Sequence, residues 1–267
     1  MSNFIVIENY LTESQCEDLI KEAGELDKEK FVLIQKKRLF LSNSSFFFFE
    51  LIKQSKSWQK LNNLLNSDDF LNFCCKKLGL NEELFSRRVF FTKSVEEKYY
   101  KEFKLLGSKQ LQSIKISSLT KYVALKFLRT LYRKFIYSNF FFWKKIPVEL
   151  LYDYSKALNG YSNIIHRDSD NRIIVFLIYL NTTDGLGGEL GIYRKINNTK
   201  IDLVDKIKPT PGKLVLFLNN EETFHGALEL KNSSKERCFI YGSFTSLSKN
   251  NFIKFSDKHT TEFQLYD

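Results

Sequence analysis

The sequence contains few residues of the types that form disulfides or bind transition metals. Its 267 residues include four cysteines and three histidines. The cysteines form no Cys-x-x-Cys pair and no regular framework, and the adjacent Cys74 and Cys75 cannot easily bridge each other. This pattern argues against a disulfide scaffold and favours a reduced, cytoplasmic setting.

The sequence also lacks the segments that send a chain to a membrane or across it. The opening "MSNFIVIENYL" has no basic stretch followed by an apolar one, so no secretory signal peptide is predicted. No apolar run approaches the roughly 20 residues that a membrane-spanning helix needs. We therefore expect neither a cleaved leader nor a transmembrane segment.

A third absence concerns the triplet His166-Arg167-Asp168, which also occurs in the catalytic loop of protein kinases. That loop requires an Asn five positions after its Asp to hold a second Mg²⁺, and this sequence has Ile173 there. The Gly-rich phosphate loop upstream and the Asp-Phe-Gly motif downstream are missing as well. The kinase interpretation is therefore excluded.

The first 92 residues have the pattern of a strand followed by supporting helices. The β-branched run "FIVI" favours a strand, and Thr12 with Gln15 forms a capping box that starts an amphipathic helix. Residues 44–80 continue with apolar side chains at helical spacing. These are Trp58, Leu61, Leu65, Leu71, Cys74 and Leu78.

The next segment differs from the rest of the chain in charge. Residues 93–145 hold 13 Lys and Arg against three acidic residues, and so carry the whole formal net charge of +10. Apolar spacing predicts a basic helical insert over residues 93–146. Its cations include Lys121, Lys126, Arg129 and Arg133. Three interpretations stay open: a solvated face, a surface for an anionic partner, and contact with a membrane interface.

From Pro147 onward the pattern changes to short strands separated by turn signals. The predicted strands are 148–155, 172–180, 189–194, 201–205, 213–218, 226–230 and 237–245. Seven short strands at this spacing predict a sandwich or barrel over residues 147–247. The remaining residues, 248–267, are predicted to form a C-terminal tail.

Two histidines and one aspartate in the strand region suggest a metal site. His166 and Asp168 are two positions apart, so in an extended segment both point to one face while Arg167 points away. A third ligand must come from His225 or His259. His225 lies in a predicted loop between strands, whereas His259 lies in the polar tail and is expected to be exposed. Two histidines and a carboxylate form the facial triad of non-haem Fe(II) oxygenases.

The order of these motifs resembles that of the 2-oxoglutarate/Fe(II)-dependent dioxygenases, in particular the prolyl 4-hydroxylase-like group. The matching stretches are "HRD", "RIIVFLIYLN", "GGEL", "FHGALEL…RCFIYGSF" and, near the start, "FIVIENYLTESQCEDLI". The resemblance implies an α+β protein whose residues 147–247 form a double-stranded β-helix, or jelly roll, with N-terminal supporting helices. The basic helical insert has no counterpart in this resemblance.

The resemblance also implies cofactors and a reaction. His166, Asp168 and His225 would be the catalytic residues and would bind Fe(II), with 2-oxoglutarate and O₂ as cosubstrates. The implied reaction hydroxylates an unactivated C–H bond and releases succinate and CO₂. A prolyl residue of a protein or peptide is the first expected substrate, and small molecules are alternatives. Ascorbate (vitamin C) as reductant is implied by the resemblance alone.

The same resemblance suggests which residues bind 2-oxoglutarate. Arg237 opens the last predicted strand, and its planar guanidinium would match the distal carboxylate with two parallel hydrogen bonds. Lys235 is the competing cation. Tyr179 would donate its hydroxyl to the same carboxylate, and Tyr154 on the first core strand is a further candidate.

Two other classes of function stay open. Nucleic-acid demethylases of this superfamily carry a second arginine six positions after the first, where this sequence has Ser243. Nucleic acid is therefore disfavoured as a partner without being excluded. The alternative of another class is a non-catalytic binding module that docks an anionic polymer or membrane through the basic segment. The three metal ligands and Arg237 count against it, because a scaffold does not need them.

Overall fold

The computed structural model describes most of the chain outside the basic segment. The described residues are 4–26, 31–34, 37–43, 46–87, 146–195, 201–220, 223–246, 252–255 and 263–266. Residues 93–145, which make up nearly all of the predicted helical insert, lie outside these ranges, as does His259. The helical form of this segment and the exposure of His259 therefore stay predictions.

The N-terminal segment begins with strand β1, Phe4–Ile7, and helix α1, Glu13–Gly24. The predicted capping box at its start is confirmed. The Gln15 backbone N–H donates to the Thr12 hydroxyl at 3.2 Å, and the Thr12 N–H donates to the Gln15 side chain at 2.8 Å. These two bonds satisfy donors that the first helical turn leaves free.

Three further helices confirm the helical pattern predicted over residues 44–80. They are α2, Phe46–Gln54; α3, Lys56–Leu65; and α4, Asp68–Leu78. Serine side chains cap α3 and α4, and Gly79 ends α4 in the left-handed conformation with φ 70°. A 3₁₀ turn, Glu82–Leu84, follows. None of the helices in the described ranges is long and apolar enough to cross a membrane.

Thirteen strands besides β1 are described. They are β2, Val32–Ile34; β3, Arg38–Ser42; β4, Phe85–Arg87; β5, Ile146–Ala157; β6, Asn163–His166; β7, Arg172–Tyr179; β8, Leu190–Lys195; β9, Ile201–Ile207; β10, Leu214–Leu218; β11, Thr223–Ala227; β12, Arg237–Ser246; β13, Phe252–Phe255; and β14, Phe263–Tyr266.

Most of these strands form a large sheet and a small sheet. The large sheet has the order β1-β10-β7-β12-β5-β3-β2, with β4 parallel to β5, and the small sheet has the order β6-β11-β8-β9. Within the described ranges, β13 and β14 pair with each other and with no other strand. Strands β5 to β12 are divided between the two sheets as in a jelly roll, β5-β12-β7-β10 against β6-β11-β8-β9.

The large sheet has two different faces, because successive side chains of a strand point to opposite sides. One face packs against the helices. On this face the ring centroids of Phe70 in α4 and Phe176 in β7 are 5.2 Å apart, and the two rings meet edge to face. The other face packs against the small sheet and includes Val175, Leu177 and Tyr179. The cavity described below opens on this second face.

One strand prediction is corrected by the structure, and one strand was missing from the prediction. Strand β6 was not predicted, and the strand expected at 226–230 lies at Thr223–Ala227, so His225 is in a strand and not in a loop. Pairing explains the shift, since β11 is bonded on both sides, to β6 and to β8. Beyond Ala227 the backbone leaves β6, and Leu228 instead donates to the Glu189 carbonyl at 2.9 Å.

Candidate active site

The structure brings together the three residues that the sequence suggests as metal ligands. His166 ends β6 and pairs directly with His225 of β11, and their ring centroids are 4.5 Å apart. Asp168 follows two residues after His166. One ligand atom from each residue lies within 4.8 Å of the other two. The β6–β11 ladder therefore sets the separation of the two imidazoles.

The donor atoms of this cluster fit a cation. Asp168 Oδ2 is buried, lies 3.5 Å from His225 Nε2, and has no hydrogen-bond partner among the described residues. A buried carboxylate oxygen without a partner is costly. His166 Nδ1 lies 2.8 Å from the Ile164 carbonyl, an acceptor, so this nitrogen carries the proton. His166 Nε2 is then left as a lone-pair donor, the arrangement typical of metal-bound histidines.

The electrostatic surroundings keep His225 in its metal-binding form. Burial lowers the pKa of His225 to about 4, while the neighbouring Asp168 carboxylate opposes this shift and His166 adds to it. The ring is therefore neutral at neutral pH. A neutral imidazole is the form that binds metals.

The second oxygen of Asp168 is held by two residues that sequence analysis missed. Asp168 Oδ1 accepts hydrogen bonds from Arg172 Nη1 at 2.7 Å and from the Tyr241 hydroxyl at 2.6 Å. Arg172 also donates to the Tyr241 hydroxyl. Burial, followed by the nearby Asp168, raises the pKa of Tyr241 well above its usual value, so its hydroxyl stays a donor. The available signals were the four-residue spacing from Asp168 to Arg172 and the alternation from Arg237 to Tyr241.

Asn219, the residue after β10, helps to hold the backbone that carries Asp168. Asn219 Nδ2 donates to the carbonyls of Asp168 at 3.3 Å, of Ser169 at 2.9 Å and of Arg172 at 2.9 Å. One side chain thus fixes the loop between β6 and β7.

Arg237 opens β12, as expected, and is buried with 3% of its surface exposed. Its guanidinium lies over the rings of Tyr161, at 5.4 Å, and Phe239, at 5.1 Å, and donates to the Gly188 carbonyl. Arg237 Nε has no hydrogen-bond partner, and no carboxylate within the described ranges forms an ion pair with it. An unpaired buried cation is suited to bind an anion.

The tyrosines near Arg237 differ from the prediction in one respect. Tyr179 lines the cavity, and burial raises its pKa to about 12 while Arg237 opposes the shift. Tyr154 does not line it, and its suggested contact with 2-oxoglutarate is corrected. Its ring packs 5.1 Å from Trp58 on the helix side, because alternation along β5 turns Asp153 towards the cavity and Tyr154 away. Tyr161, in the loop after β5, lies beside Arg237 instead.

One cavity of about 360 Å³ contains both the His-Asp-His cluster and Arg237. Its wall also includes Arg38, which pairs with Asp153 at 2.7 Å, and Phe40. Lys235 is exposed in the turn before β12 and does not line the cavity. A cavity of this size suits a small molecule held between a metal site and a buried cation.

Part of the sequence matches a known protein family. Residues 152–244 match the model of the family described as the 2OG-Fe(II) oxygenase superfamily. The matched range runs from β5 to β12 and includes the three candidate metal ligands and Arg237. A search of the curated proteins found no match.

Several solved structures of prolyl hydroxylases are similar at low sequence identity. A prolyl-4-hydroxylase from Pseudomonas putida is 14% identical, with 91% of this chain and 92% of that chain covered and a TM-score of 0.44. A prolyl 4-hydroxylase from Phytophthora capsici is 13% identical, with 96% and 64% covered and a TM-score of 0.49. A prolyl hydroxylase from Trichoplax adhaerens, solved with a hypoxia inducible factor peptide fragment, is 14% identical, with 92% and 84% covered and a TM-score of 0.42.

The family match and the site geometry converge on the same residues. The matched strands are those that hold the His-Asp-His cluster and the unpaired Arg237. Residues 152–244 are therefore similar to the 2OG-Fe(II) oxygenase superfamily at the strands that hold the candidate site, and this match implies Fe(II), 2-oxoglutarate and O₂ as cofactor and cosubstrates.

Proposed function

We propose that this protein is a hydroxylase that acts on an unactivated C–H bond, with a prolyl residue of a protein or peptide as the first candidate substrate. One observation carries the proposal: a His-Asp-His cluster, in which Asp168 and His225 are buried and one carboxylate oxygen has no partner among the described residues, shares a cavity with an unpaired arginine. This places a candidate metal site and a candidate anion site in the same cavity.

In this proposal His166, Asp168 and His225 hold the iron. Bound there, Fe(II) would supply the activation of O₂ that such hydroxylation needs, with 2-oxoglutarate giving succinate and CO₂ and one oxygen atom entering the substrate C–H bond. Three protein ligands leave three coordination positions open for the cosubstrates. Asp168 and His225 expose 7% and 5% of their surfaces, which limits the access of water to the centre.

Arg237 binds the distal carboxylate of 2-oxoglutarate in this proposal, with Tyr179 as a neutral hydroxyl donor. The buried guanidinium lacks a counter-ion among the described side chains, which supports this role. Tyr161 packs against the same guanidinium and keeps it in place. The exposed position of Lys235 favours Arg237 over it.

The choice of a prolyl substrate has a separate basis. It rests on the order of motifs from "HRD" to "RCFIYGSF", which resembles the prolyl 4-hydroxylase-like group. Fold alone does not determine a substrate. Free small molecules are therefore the other outcome of the experiment below.

The test combines two measurements on anaerobically Fe(II)-loaded protein. Succinate release from 2-oxoglutarate is measured in air, alone, with a library of proline-containing peptides, and with a panel of small molecules that offer C–H bonds. Each peptide is examined by mass spectrometry for one added oxygen atom. Asp168→Ala is expected to abolish succinate release with little change in fold. Asp170→Ala, which removes an exposed carboxylate two residues away, is the matched control and should retain it.

Two outcomes would contradict the proposal. Full decarboxylation by Asp168→Ala would refute the metal assignment. Stimulation by small C–H substrates, with no oxygen added to any peptide, would retain the oxygenase and replace the prolyl substrate.

A further inference from the structure

The two oxygens of Asp168 lie in different surroundings. Oδ1 accepts two hydrogen bonds, from Arg172 Nη1 at 2.7 Å and from the Tyr241 hydroxyl at 2.6 Å. Oδ2 has no hydrogen-bond partner among the described residues and lies 3.5 Å from His225 Nε2. The carboxylate is thus held on one side and open on the other.

We propose that Tyr241 and Arg172 are positioning residues that occupy Oδ1 of Asp168, so that only Oδ2 is offered to the metal. This inference rests on the proposed metal site. It adds a role for two residues that are not themselves ligands.

Such positioning is needed because the torsion that rotates a carboxylate is soft. The terminal torsion of Asp is broad and nearly two-fold, so either oxygen can face the same point. Two donors that share Oδ1, one of them charged, remove this freedom. Arg172 begins β7 and Tyr241 lies in β12, so neighbouring strands of the large sheet fix both donors.

Contacts between the two donors strengthen the arrangement. The Arg172 guanidinium lies over the Tyr241 ring at 5.3 Å from its centroid and also donates to the Tyr241 hydroxyl. The Asp168 backbone is held independently by Asn219. Backbone and carboxylate are therefore fixed by different residues, and the carboxylate can be released without moving the loop.

Positioning of the Asp168 carboxylate would determine how many coordination positions of the metal stay open for cosubstrates. A carboxylate that binds through one oxygen, together with two histidines, leaves three positions open. If Asp168 bound through both oxygens, only two positions would remain. A two-point cosubstrate and O₂ could not then bind together.

The experiment measures metal binding without turnover. Co(II) is titrated by calorimetry into metal-free protein without 2-oxoglutarate, and its visible absorption is recorded as a report on coordination. Tyr241→Phe is expected to weaken Co(II) binding about 10- to 100-fold, the usual effect of losing a partner of a metal ligand. Its Co(II) absorption should also change in shape.

The matched control is Tyr152→Phe. The Tyr152 hydroxyl donates at the same distance, 2.6 Å, to Asn62 Oδ1, and its ring lies on the helix face of the same sheet. This variant should lose stability while keeping Co(II) affinity and absorption. Arg172→Lys, which keeps the charge and loses the planar fork, should show a smaller form of the Tyr241→Phe defect, and it decides the question if Tyr241→Phe does not fold.

Each outcome has a distinct meaning. Co(II) affinity of Tyr241→Phe within about two-fold of the wild type, with unchanged absorption, would overturn the inference and leave the metal site intact. An equal loss of Co(II) affinity in Tyr152→Phe would also overturn the inference, since the weaker binding of Tyr241→Phe would then reflect lower stability of the protein. Absence of Co(II) binding by the wild type would overturn the proposed metal site, and this inference with it.

Discussion

Two of the arginines that line the cavity, Arg38 and Arg237, differ in what compensates their charge. Arg38 pairs with Asp153 at 2.7 Å. Arg237 is buried, and the Gly188 carbonyl is its hydrogen-bond partner among the described residues. A buried charge without a counter-ion is costly unless a ligand supplies one. An anionic cosubstrate should therefore bind more strongly to Arg237 than to Arg38.

Arg237→Ala should raise the 2-oxoglutarate requirement while Fe(II) affinity stays near normal. Removing one partner of a desolvated charged pair typically costs about 2–5 kcal/mol. This corresponds to roughly 30-fold to several-thousand-fold in the concentration needed for half-maximal decarboxylation. Arg237→Lys should recover part of the loss. The control is Lys235→Ala, and if that variant carried the defect while Arg237→Ala did not, Lys235 would be the binding cation.

Tyr179→Phe should have a smaller effect, because the variant loses a neutral donor and not a charge. A loss of about 0.5–1.5 kcal/mol corresponds to a roughly two- to tenfold higher 2-oxoglutarate requirement. Tyr154→Phe serves as the comparison, since its hydroxyl contacts Cys238 Sγ at 3.6 Å on the helix face. An equal rise in both variants would show that Tyr154 acts on the cavity after all.

At the scale of elements, one turn joins the N-terminal segment to the core. Gly212, between β9 and β10, has φ +75°, and its carbonyl accepts the backbone N–H groups of Tyr10 at 2.8 Å and Leu11 at 3.3 Å. A Cβ at this position would collide with the Leu11 carbonyl oxygen. Glycine is therefore required at this position both by the backbone conformation and by the close approach of Tyr10 and Leu11, which precede α1.

Gly212→Ala should lower the free energy of unfolding. The left-handed conformation alone costs a residue with a Cβ roughly 1–2 kcal/mol, and the collision with Leu11 adds to it. Urea unfolding followed by circular dichroism measures the change. Gly24→Ala is the control, because nothing lies within 4 Å of a Cβ there and alanine favours a helix. A loss no larger than that of Gly24→Ala would show that the turn adapts.

Local signals explain which elements could be predicted from the sequence. The capping box at Thr12 and the apolar spacing around Trp58 both depend on neighbours within a few residues, and the structure has helices at both places. The short strand β6 carries no such signal. Its residues Ile164 and Ile165 are exposed, and its extended form depends on pairing with β11, distant in sequence.

The candidate site shows the same division. The spacing of His166 and Asp168 is a local signal, and the structure brings both to His225. Which face of the large sheet a residue occupies depends on strand register instead. For this reason Tyr154 was predicted on the wrong face, and the contact between Tyr241 and Asp168 was not foreseen.

The net charge of the whole molecule is concentrated in one segment, and the helical structure of that segment stays a sequence-based prediction. Residues 93–145 carry the entire formal net charge of +10 and lie outside the described ranges. Strand β4 ends just before this segment and β5 begins just after it, and the two strands pair in parallel. The described residues on either side of it, Arg87 and Ile146, therefore both lie in the paired β4–β5 part of the large sheet.

If the basic segment binds an anionic partner, that binding should weaken steeply with salt. Charge reversal at Lys121, Lys126, Arg129 and Arg133 should reduce binding to heparin or to anionic vesicles, and should leave decarboxylation without substrate unchanged. Retention on both probes is measured at increasing ionic strength. Binding that does not depend on salt, or a charge-reversed variant that behaves as the wild type, would favour the solvated-face interpretation.

The pairing of β5 with β12 has a consequence for how the chain folds during synthesis. The first and last strands of the core are neighbours, with Val148 opposite Ser246 and Ala157 opposite Arg237. While the chain emerges from the ribosome, one edge of β5 therefore has no native partner until β12 has been translated. Contacts so distant in sequence form slowly. A nascent chain stalled before β12 would expose a row of unpaired backbone N–H and C=O groups along β5, and such an edge favours aggregation.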